Sequence, residues 1–494
     1  MFGRLADRIA GRIRKTAPTA AEQDPPAPDA AWREAKATQA RSLGLFNDAW
    51  YLSNNPDVAA NGIDPFHHYL QSGWKEGRRP APGFDEAICA RASPTFVPGS
   101  ENPILHLLSR GVTARDLRRG REARRQAVPS APVLPTRLDD GLCITGYLTS
   151  EIGLGQAARN LAYACDAARL PLSLRDIALA GRQNDAEFRS KCNPLVDRKA
   201  HLLVAGLPSV SGRPQDLQPG RMNILYAFWE LQRIPMDWLP AIRAFDEVWA
   251  PSRFVAMGFA AVLGKPVQLV PQPVRLPRTM PPPRGDRRQL RFLTYLDFDS
   301  FVRRKNPQAV VKAFTSAFPP SNRDVELVVK TRGSRDDGLR RWLGEAAAQD
   351  ARIRVVDRTI GRAEMDSLMS ECDAFVSLHR SEGFGFGVAE ALAAGKAVVA
   401  TDFSGTTDLL TDQTGYPVAY DLEPVRDGEY LAAEGQSWAS ARHEAAVAAL
   451  RQVAADLHEA ENRTRRGFAL LQQRHAPEAV GRLVAGLLRQ RGMV

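Results

Sequence analysis

The chain has 494 residues, of which 44% are hydrophobic and 25% are charged, and its formal net charge is +10. These fractions are typical of a folded globular protein and exclude the disordered, collagen-like and fibrous classes. At about 100–200 residues per domain, the length predicts about three domains.

The sequence contains no run of about 18 apolar residues, and its N-terminus lacks the apolar segment of a secretory signal. We therefore expect a cytoplasmic protein. The five cysteines are dispersed along the chain and never form C-x-x-C. This pattern predicts reduced thiols rather than disulfides or a structural zinc site.

Residues 1–15 combine apolar side chains at helical spacing with arginines and a lysine between them, which predicts a basic amphipathic helix. Such a helix could lie on an anionic membrane surface, which would make the protein peripheral at the inner membrane face. It could equally be a solvated helix or one docked on a partner. Residues 16–44 are predicted to form a Pro/Ala-rich linker and a helix.

Residues 45–118 contain an internal repeat whose two copies are offset by 38 positions. Each copy is expected to form two short helices, and the two copies to pack as one small helical module. Arginines then lead into a linker over 119–139, and no nucleic-acid-binding motif accompanies them, so no nucleic-acid partner is expected. The matched positions of the repeat are Phe46 and Phe84, Pro65 and Pro103, and Gly73 and Gly111.

From residue 140 onward, short apolar runs alternate with helical stretches, which predicts parallel sheets covered by helices on both faces. A Pro-rich interruption near 281–283 divides this region. We predict an α/β fold with two Rossmann-like, doubly wound domains facing a cleft, over residues 140–280 and 288–475. A C-terminal helix is expected over 476–494.

The most informative segment joins a predicted strand ending at Leu378 to a helix beginning near Gly387. Such a junction is where doubly wound sheets bind ligands. Alternate glycines would let a diphosphate or sugar approach the backbone. Glu382 is placed in the loop and Glu390 one turn into the helix, both at the cleft. The residues of the loop between them are Gly383, Phe384, Gly385, Phe386 and Gly387.

Glu382 and Glu390 form an E-x7-E pattern inside Ser381-Glu382-Gly383-Phe384-Gly385. With this setting, the segment resembles the retaining family-4 glycosyltransferases of the GT-B fold, of the glycosyl transferases group 1 type. The resemblance extends over about 142–475. It implies that Glu382 contacts the donor sugar as a catalytic residue, that the glycine loop holds the diphosphate and sugar, and that Glu390 holds the ribose.

Further positions match the same family. Gly153 and Gly155 resemble the glycine-rich loop that faces the donor phosphates, and Arg303-Arg304-Lys305-Asn306-Pro307 resembles the basic phosphate-binding segment, with Lys305 on the diphosphate. The Arg that the family carries about six residues before that Lys is missing here. The resemblance leaves Arg303 or Lys330 as the substitute second cation.

Asp297-x-Asp299 resembles the metal motif of the other glycosyltransferase fold, but GT-B enzymes need no metal to hold the diphosphate. No metal and no cofactor are therefore expected, and the nucleotide-diphosphate sugar is a donor substrate. Trp229 and Glu230 follow a strand of the first domain and are expected on the acceptor side, although core packing is an equal alternative for Trp229.

The sequence thus predicts a retaining hexosyltransferase that moves a sugar from a nucleotide sugar to an acceptor hydroxyl. The basic N-terminus, which could face a membrane, favours a cell-envelope polysaccharide or glycolipid as acceptor. The alternative is a non-catalytic GT-B scaffold or sugar-binding protein that recruits envelope-assembly partners. A nicotinamide-dependent oxidoreductase is disfavoured because the G-x-G-x-x-G fingerprint is absent.

Overall fold

The computed structural model describes residues 30–494 except for 13 gaps along the chain. The chain divides into two compact units, Met1–Val133 and Leu134–Val494. The predicted helix over 1–15, most of the linker over 119–139 and much of the second repeat copy lie outside the described residues. The gaps are 56–57, 60–61, 75–77, 83, 85–88, 90–101, 114–137, 178, 180–185, 194–196, 211–215, 286–287 and 334–336.

The first unit contains short helices around an aromatic core. Phe46 packs edge-on against Phe66 with ring centroids 5.0 Å apart, and Tyr51 lies fully buried beside them. Asp64 caps the helix that begins at Pro65 by accepting from His67 N–H, and Asn102 caps the helix that begins at Pro103. The helices are α1 (Ala30–Ser42), α2 (Asp48–Asn54), α3 (Pro65–His68), continued by a π-helical turn (Tyr69–Gly73), and α4 (Pro103–Ser109).

The second unit begins with a six-stranded parallel sheet in the order β2-β1-β3-β4-β5-β6. Its strands are β1 (Asp139–Gly146), β2 (Leu172–Asp176), β3 (Arg198–Gly206), β4 (Met222–Phe228), β5 (Glu247–Ala250) and β6 (Val267–Leu269). Its helices are α5 (Gly153–Ala167), α6 (Ala186–Arg189), α7 (Leu207–Val210), α8 (Leu239–Arg243) and α9 (Arg253–Leu263), with a 3-10 turn at Met236–Trp238.

A second six-stranded parallel sheet follows, in the order β12-β11-β10-β7-β8-β9. Its strands are β7 (Leu290–Asp297), β8 (Val325–Arg332), β9 (Ile353–Asp357), β10 (Ala374–Ser377), β11 (Ala397–Thr401) and β12 (Tyr416–Val418). Its helices are α10 (Val302–Lys305), α11 (Pro307–Ala317), α12 (Asp337–Gln349), α13 (Arg362–Ser370), α14 (Phe386–Ala393) and α15 (His443–Ala455), with a 3-10 turn at Ser404–Asp408.

An antiparallel hairpin of β13 (Tyr420–Pro424) and β14 (Ser437–Ala441) extends from the second sheet's domain. Its residues Tyr430 and Trp438 are buried in one apolar cluster with Trp229 and Leu231 of the first sheet's domain. The hairpin therefore fastens the two domains of this unit together by burying apolar surface between them.

The last two helices are α16 (Leu457–Arg474) and α17 (Pro477–Gln490). Helix α17 returns to the first sheet's domain and packs on α5, so closely that a Cβ at Gly481 would lie 2.0 Å from the carbonyl oxygen of Ala164. The chain end thus belongs in space to the first domain. None of the helices in the described ranges is long and apolar enough to cross a membrane.

The predicted fold class is confirmed, because both sheets are parallel and each carries the helices between its strands. Ten of the fourteen strands in this unit coincide with short apolar runs of the sequence. Four strands escaped the prediction, namely β2, β12 and the two strands of the hairpin, because each is short or only partly buried and lacks a continuous apolar run.

His201 on β3 gives the first sheet a pH-sensitive position. Its Nδ1 lies 3.1 Å from Oδ1 of Asn223 and its Nε2 lies 2.8 Å from Oγ1 of Thr145, with the ring fully buried. Burial lowers the pKa of His201 from its ordinary 6.5 to about 4. The folded state therefore binds fewer protons than the unfolded chain between these two values, so stability falls as the pH drops through that window.

From this group alone we expect the free energy of unfolding to fall by about 2 kcal/mol between pH 7 and pH 5. Urea unfolding of the wild type and of His201→Gln at both pH values measures it, because the glutamine variant lacks the titrating ring. An equal pH dependence in the two proteins would contradict the assignment.

Candidate active site

The loops at the carboxyl ends of the two sheets meet in the second unit. The Ser252 hydroxyl, after β5, donates a 2.6 Å hydrogen bond to the carbonyl of Gly383, and the Ser381 hydroxyl donates to the carbonyl of Glu230, after β4. Carboxyl ends of parallel strands are the usual ligand-binding edge of such sheets. The loop between β10 and α14, residues 378–385, therefore lies at the centre of the candidate site.

The glycines of this loop are required by packing within the protein. A Cβ at Gly385, which has φ +93°, would lie 2.3 Å from Cγ2 of Thr406, and one at Gly387 would lie 2.7 Å from Cζ of Phe375. A Cβ at Gly383 would approach the Trp229 carbonyl oxygen to 3.2 Å. The close approach of neighbouring protein segments is thus one reason for these glycines, and the predicted room for a ligand stays a prediction.

Glu382 is buried at the end of this loop and lies between two cations. Its Oε2 is 2.8 Å from the Arg304 guanidinium and its Oε1 is 2.5 Å from Nζ of Lys305. Burial alone would raise the pKa of Glu382, but the charges of Arg304 and Lys305 outweigh that effect and hold the pKa well below its ordinary value. The carboxylate is therefore ionised throughout the neutral range.

Beside Lys305, the cation that pairs with Glu382 is Arg304, and the role of Arg303 or Lys330 as second cation on the diphosphate stays a prediction. Arg303 is exposed, whereas Arg304 is buried and also donates to the Ser381 carbonyl at 2.8 Å. Helix α10 has one turn and a single buried apolar residue, Val302. No periodicity in the sequence could therefore choose among three consecutive cations.

Lys330 lies on β8 in register with Tyr295 of β7, and its ammonium donates 2.5 Å hydrogen bonds to the carbonyls of Thr331 and Arg358. Burial lowers the pKa of Lys330. The hydrogen bonds described for Lys330 thus go to backbone carbonyls. The ion pairs to Glu382 come instead from two cations of α10, Arg304 and Lys305.

Glu390 lies within α14, as expected, and its carboxylate is already engaged by two side chains. The Tyr295 hydroxyl donates to Oε2 and the Arg362 guanidinium to Oε1, both at 2.9 Å. A cavity of about 460 Å³ opens between β9 and α13, the helix that begins at Arg362, and is lined in part by Arg358 and Glu364. Arg362 is a site residue that the sequence pattern did not indicate.

The glycine-rich loop of the first domain lies across from β8. Arg332 of β8 donates to the Glu151 carbonyl at 3.1 Å and pairs with the Asp297 carboxylate. A Cβ at Gly155 would lie 2.2 Å from the Ser150 carbonyl oxygen, whereas one at Gly153 would meet no atom within 4 Å. Gly155 is therefore needed for the turn, and Gly153 borders open space.

Asp297, the first residue of the D-x-D pattern, is thus engaged by an arginine. No group of three or more His, Cys, Asp or Glu side chains that could hold a metal ion occurs among the residues that the structure describes.

The two acceptor-side candidates differ in environment. Trp229 is buried, donates from Nε1 to the Arg233 carbonyl at 2.9 Å and packs edge-on against Trp238. Glu230 is partly exposed, and its Oε2 accepts a 2.5 Å hydrogen bond from Tyr430. Packing therefore explains Trp229, and Glu230 is the polar group that this segment brings to the cleft.

Comparison with known proteins agrees with this geometry. Residues 293–421, which include α10 and the loop of Glu382, match the family model described as Glycosyl transferases group 1. No curated protein sequence matches the chain.

Among solved structures, sucrose-phosphate synthase from Thermosynechococcus elongatus superposes with a TM-score of 0.54 at 17% identity, covering 71% of this chain and 99% of that one. HepE from Anabaena, in complex with UDP, gives 0.51 at 12% identity, covering 71% and 100%. The lipopolysaccharide outer core galactosyltransferase WaaB gives 0.51 at 11% identity, covering 71% and 99%. The second unit therefore has the GT-B fold, and the region that matches the Glycosyl transferases group 1 model lies in the domain of its second sheet.

Proposed function

We propose that this chain is a retaining glycosyltransferase that moves a sugar from a nucleotide-diphosphate sugar to an acceptor hydroxyl. The observation that carries the proposal is the ionised Glu382 carboxylate held between Arg304 and Lys305 where the two sheets' carboxyl ends meet. This constellation lies inside the segment that matches the group 1 family model. The proposal assigns the donor to the second domain and the acceptor to the first.

The two cations beside Glu382 differ in how exposed their side chains are, and this difference assigns them different roles. The Lys305 side chain is 28% exposed, whereas that of Arg304 is 8% exposed. Lys305 is therefore the cation that can reach a diphosphate, and Arg304 holds Glu382 in place. A fixed positive charge at the leaving group stabilises the charge that develops as the glycosidic bond breaks.

The positions of Glu390, Gly153 and the backbone of 383–387 indicate the remaining contacts to the donor. Glu390, oriented by Tyr295 and Arg362, would accept hydrogen bonds from ribose hydroxyls, and the cavity between β9 and α13 has room for part of a nucleoside. The open Cβ position of Gly153 leaves that loop free to approach the phosphates. The backbone of 383–387 would line the sugar.

The reaction itself needs no protein nucleophile in this proposal. The acceptor oxygen bonds to the anomeric carbon on the face from which the diphosphate leaves, and a phosphate oxygen takes the acceptor's proton. Glu382, ionised at neutral pH, would stabilise the positive charge on the sugar in the transition state. Contact between the two domains keeps water from the same carbon.

The acceptor is proposed to be a cell-envelope polysaccharide or glycolipid, with the protein at the inner membrane face. The support for this is the composition of residues 1–15, which alternate apolar and basic side chains. That segment lies outside the described residues, so the membrane contact stays a prediction.

A donor panel tests the proposed function. The purified full-length protein is incubated with UDP-, GDP- and ADP-sugars, and both the midpoint of thermal unfolding and the release of free nucleotide are followed. One donor is expected to raise the midpoint and to be turned over. Binding without release of nucleotide from any donor would favour the non-catalytic scaffold instead.

A further inference from the structure

We infer that Tyr430 is a positioning residue that holds the Glu230 carboxylate so that Glu230 binds the acceptor's hydroxyl group. The inference rests on the proposed function and deepens it, because it names the group that recognises the acceptor. Neither the family model nor the sequence pattern points to Tyr430, which lies beyond the matched residues 293–421.

The hairpin brings Tyr430 across the cleft from the second domain. Between β13 and β14, residues 425–436 cover the segment that follows β4 of the first domain. The Arg233 N–H donates to Oε1 of Gln436 at 3.1 Å, and Nε2 of Gln436 donates back to the Arg233 carbonyl at 2.7 Å. Trp438, which is fully buried, anchors the hairpin's base. The position of Tyr430 is therefore fixed by both domains.

Aromatic rings surround the Tyr430 side chain on two sides. Its ring centroid is 5.7 Å from that of Trp229 and 4.6 Å from that of Phe301, which is exposed. A phenylalanine would pack equally well in these contacts. The hydroxyl is thus not explained by packing, and its described hydrogen bond is the one to Glu230. Burial, followed by the charge of Glu230, raises the pKa of Tyr430, so it stays a donor.

Glu230 is tied to the catalytic loop through its backbone, because its carbonyl accepts the hydroxyl of Ser381, the neighbour of Glu382. The negative charge of the Glu230 carboxylate also interacts with the positive charge of Arg304, although less strongly than the charge of Glu382 does. Arg304 therefore balances two carboxylates, one from each domain. Within the described residues, Oε1 of Glu230 accepts no hydrogen bond, which leaves it for a ligand.

A carboxylate oxygen in this position suits a sugar hydroxyl. The acceptor's O–H would donate to Oε1 of Glu230 while Tyr430 occupies Oε2, and this fixes the acceptor oxygen near the anomeric carbon. The carboxylate only accepts this hydrogen bond. The bond from the acceptor oxygen to the anomeric carbon forms, the bond to the phosphate breaks, and the proton ends on the phosphate.

The test uses three variants of the full-length protein, Tyr430→Phe, Glu230→Gln and the double variant, with Tyr163→Phe as the matched control. Tyr163 is a partly exposed tyrosine of α5 whose hydroxyl lies 3.3 Å from a carboxylate oxygen of Glu187. Acceptor probes are the octyl glycosides of glucose, galactose, mannose and N-acetylglucosamine. Transfer to the probe, donor hydrolysis without a probe, and the unfolding midpoint are measured for each protein.

Tyr430→Phe is expected to lower kcat/KM for the acceptor about 10-fold and Glu230→Gln about 100-fold. In Tyr430→Phe, donor hydrolysis and the KM for the donor should stay at wild-type values, and the unfolding midpoint measures any loss of stability separately. The double variant should be no worse than Glu230→Gln, because the hydroxyl acts through the carboxylate. Tyr163→Phe should match the wild type.

Additive losses in the double variant, or an equal loss of donor hydrolysis in Tyr430→Phe, would overturn the inference, because either result means that Tyr430 acts elsewhere. Failure of the proposed function has a different signature. In that case the wild type itself neither transfers nor hydrolyses any donor sugar, and the inferred role of Glu230 is refuted together with the proposed function.

Discussion

Replacing Glu382 with glutamine is expected to lower the rate of sugar transfer about 1,000-fold while leaving nucleotide binding almost unchanged. The amide keeps the volume and one oxygen acceptor of the side chain but removes the negative charge that faces the developing positive charge on the sugar. The nucleotide is held by other groups, so its affinity should not follow the loss of turnover. Initial rates and nucleotide titrations with the two proteins measure both effects.

Glutamine is chosen over alanine because Arg304 and Lys305 both pair with this carboxylate. Alanine would leave a cavity beside a buried guanidinium without its partner, a change that costs about 3–5 kcal/mol of stability. The unfolding midpoint of Glu382→Gln reports any such loss. Glu345→Gln, at an exposed position of α12, is the control and should behave as wild type. Wild-type turnover in Glu382→Gln would refute the assigned role.

Replacing Lys305 with methionine is expected to weaken binding of the nucleoside diphosphate about 10–100-fold and to lower transfer with it. The expectation follows from the loss of one charge-assisted contact, which is worth about 1.5–3 kcal/mol. Glu382 keeps Arg304 as its partner in this variant, so the loop should keep its structure. Isothermal titration with UDP, GDP and ADP measures the change.

Lys312→Met on α11 is the matched control, because Lys312 is exposed and follows the same basic segment. Its affinity for the nucleotide should equal that of the wild type. If Lys305→Met binds the nucleoside diphosphate as tightly as the control does, Lys305 does not contact the diphosphate.

The two variants also separate the roles within one ion pair. Lys305 and Glu382 are 2.5 Å apart, yet the proposal places one on the leaving group and the other on the sugar. Glu382→Gln should spare nucleotide binding, whereas Lys305→Met should impair it. Equal effects on binding would mean that the pair works as one structural unit.

The fold could be predicted from the sequence because fully buried parallel strands leave continuous apolar runs, such as those over β4, β10 and β11. The loop with Glu382 and the helix with Glu390 were found for a related reason. The strand, the glycines and the helix start are consecutive, so their order along the chain matches their order in space.

Arg304, Arg362 and Tyr430 could not be found in this way, since each acquires its role from a segment distant in sequence. Arg304 and Glu382 are 78 positions apart in the sequence, and Tyr430 and Glu230 are 200 positions apart. The hairpin that carries Tyr430 has an exposed first strand and is buried mainly against the other domain. The periodicity of apolar residues within one segment does not indicate a contact with a segment so far away in the sequence.

The glycines of the Glu382 loop have a packing role that the sequence pattern did not indicate. A Cβ at Gly383, Gly385 or Gly387 would collide with or crowd protein atoms, whereas the pattern itself pointed only to room for a ligand. The glycines let the loop of β10 pack under the segments that follow β4 and β11. That packing is what brings Glu382 to the meeting point of the two domains.

The most direct test of the central claim is the anomeric configuration of the product. The donor that the wild type turns over is incubated with an octyl glycoside, and the coupling constant of the new anomeric proton is followed by NMR from the first minutes. The product is expected to have the donor's configuration and to be formed by the wild type and not by Glu382→Gln. An inverted product, or an equal rate in the two proteins, would contradict the central claim.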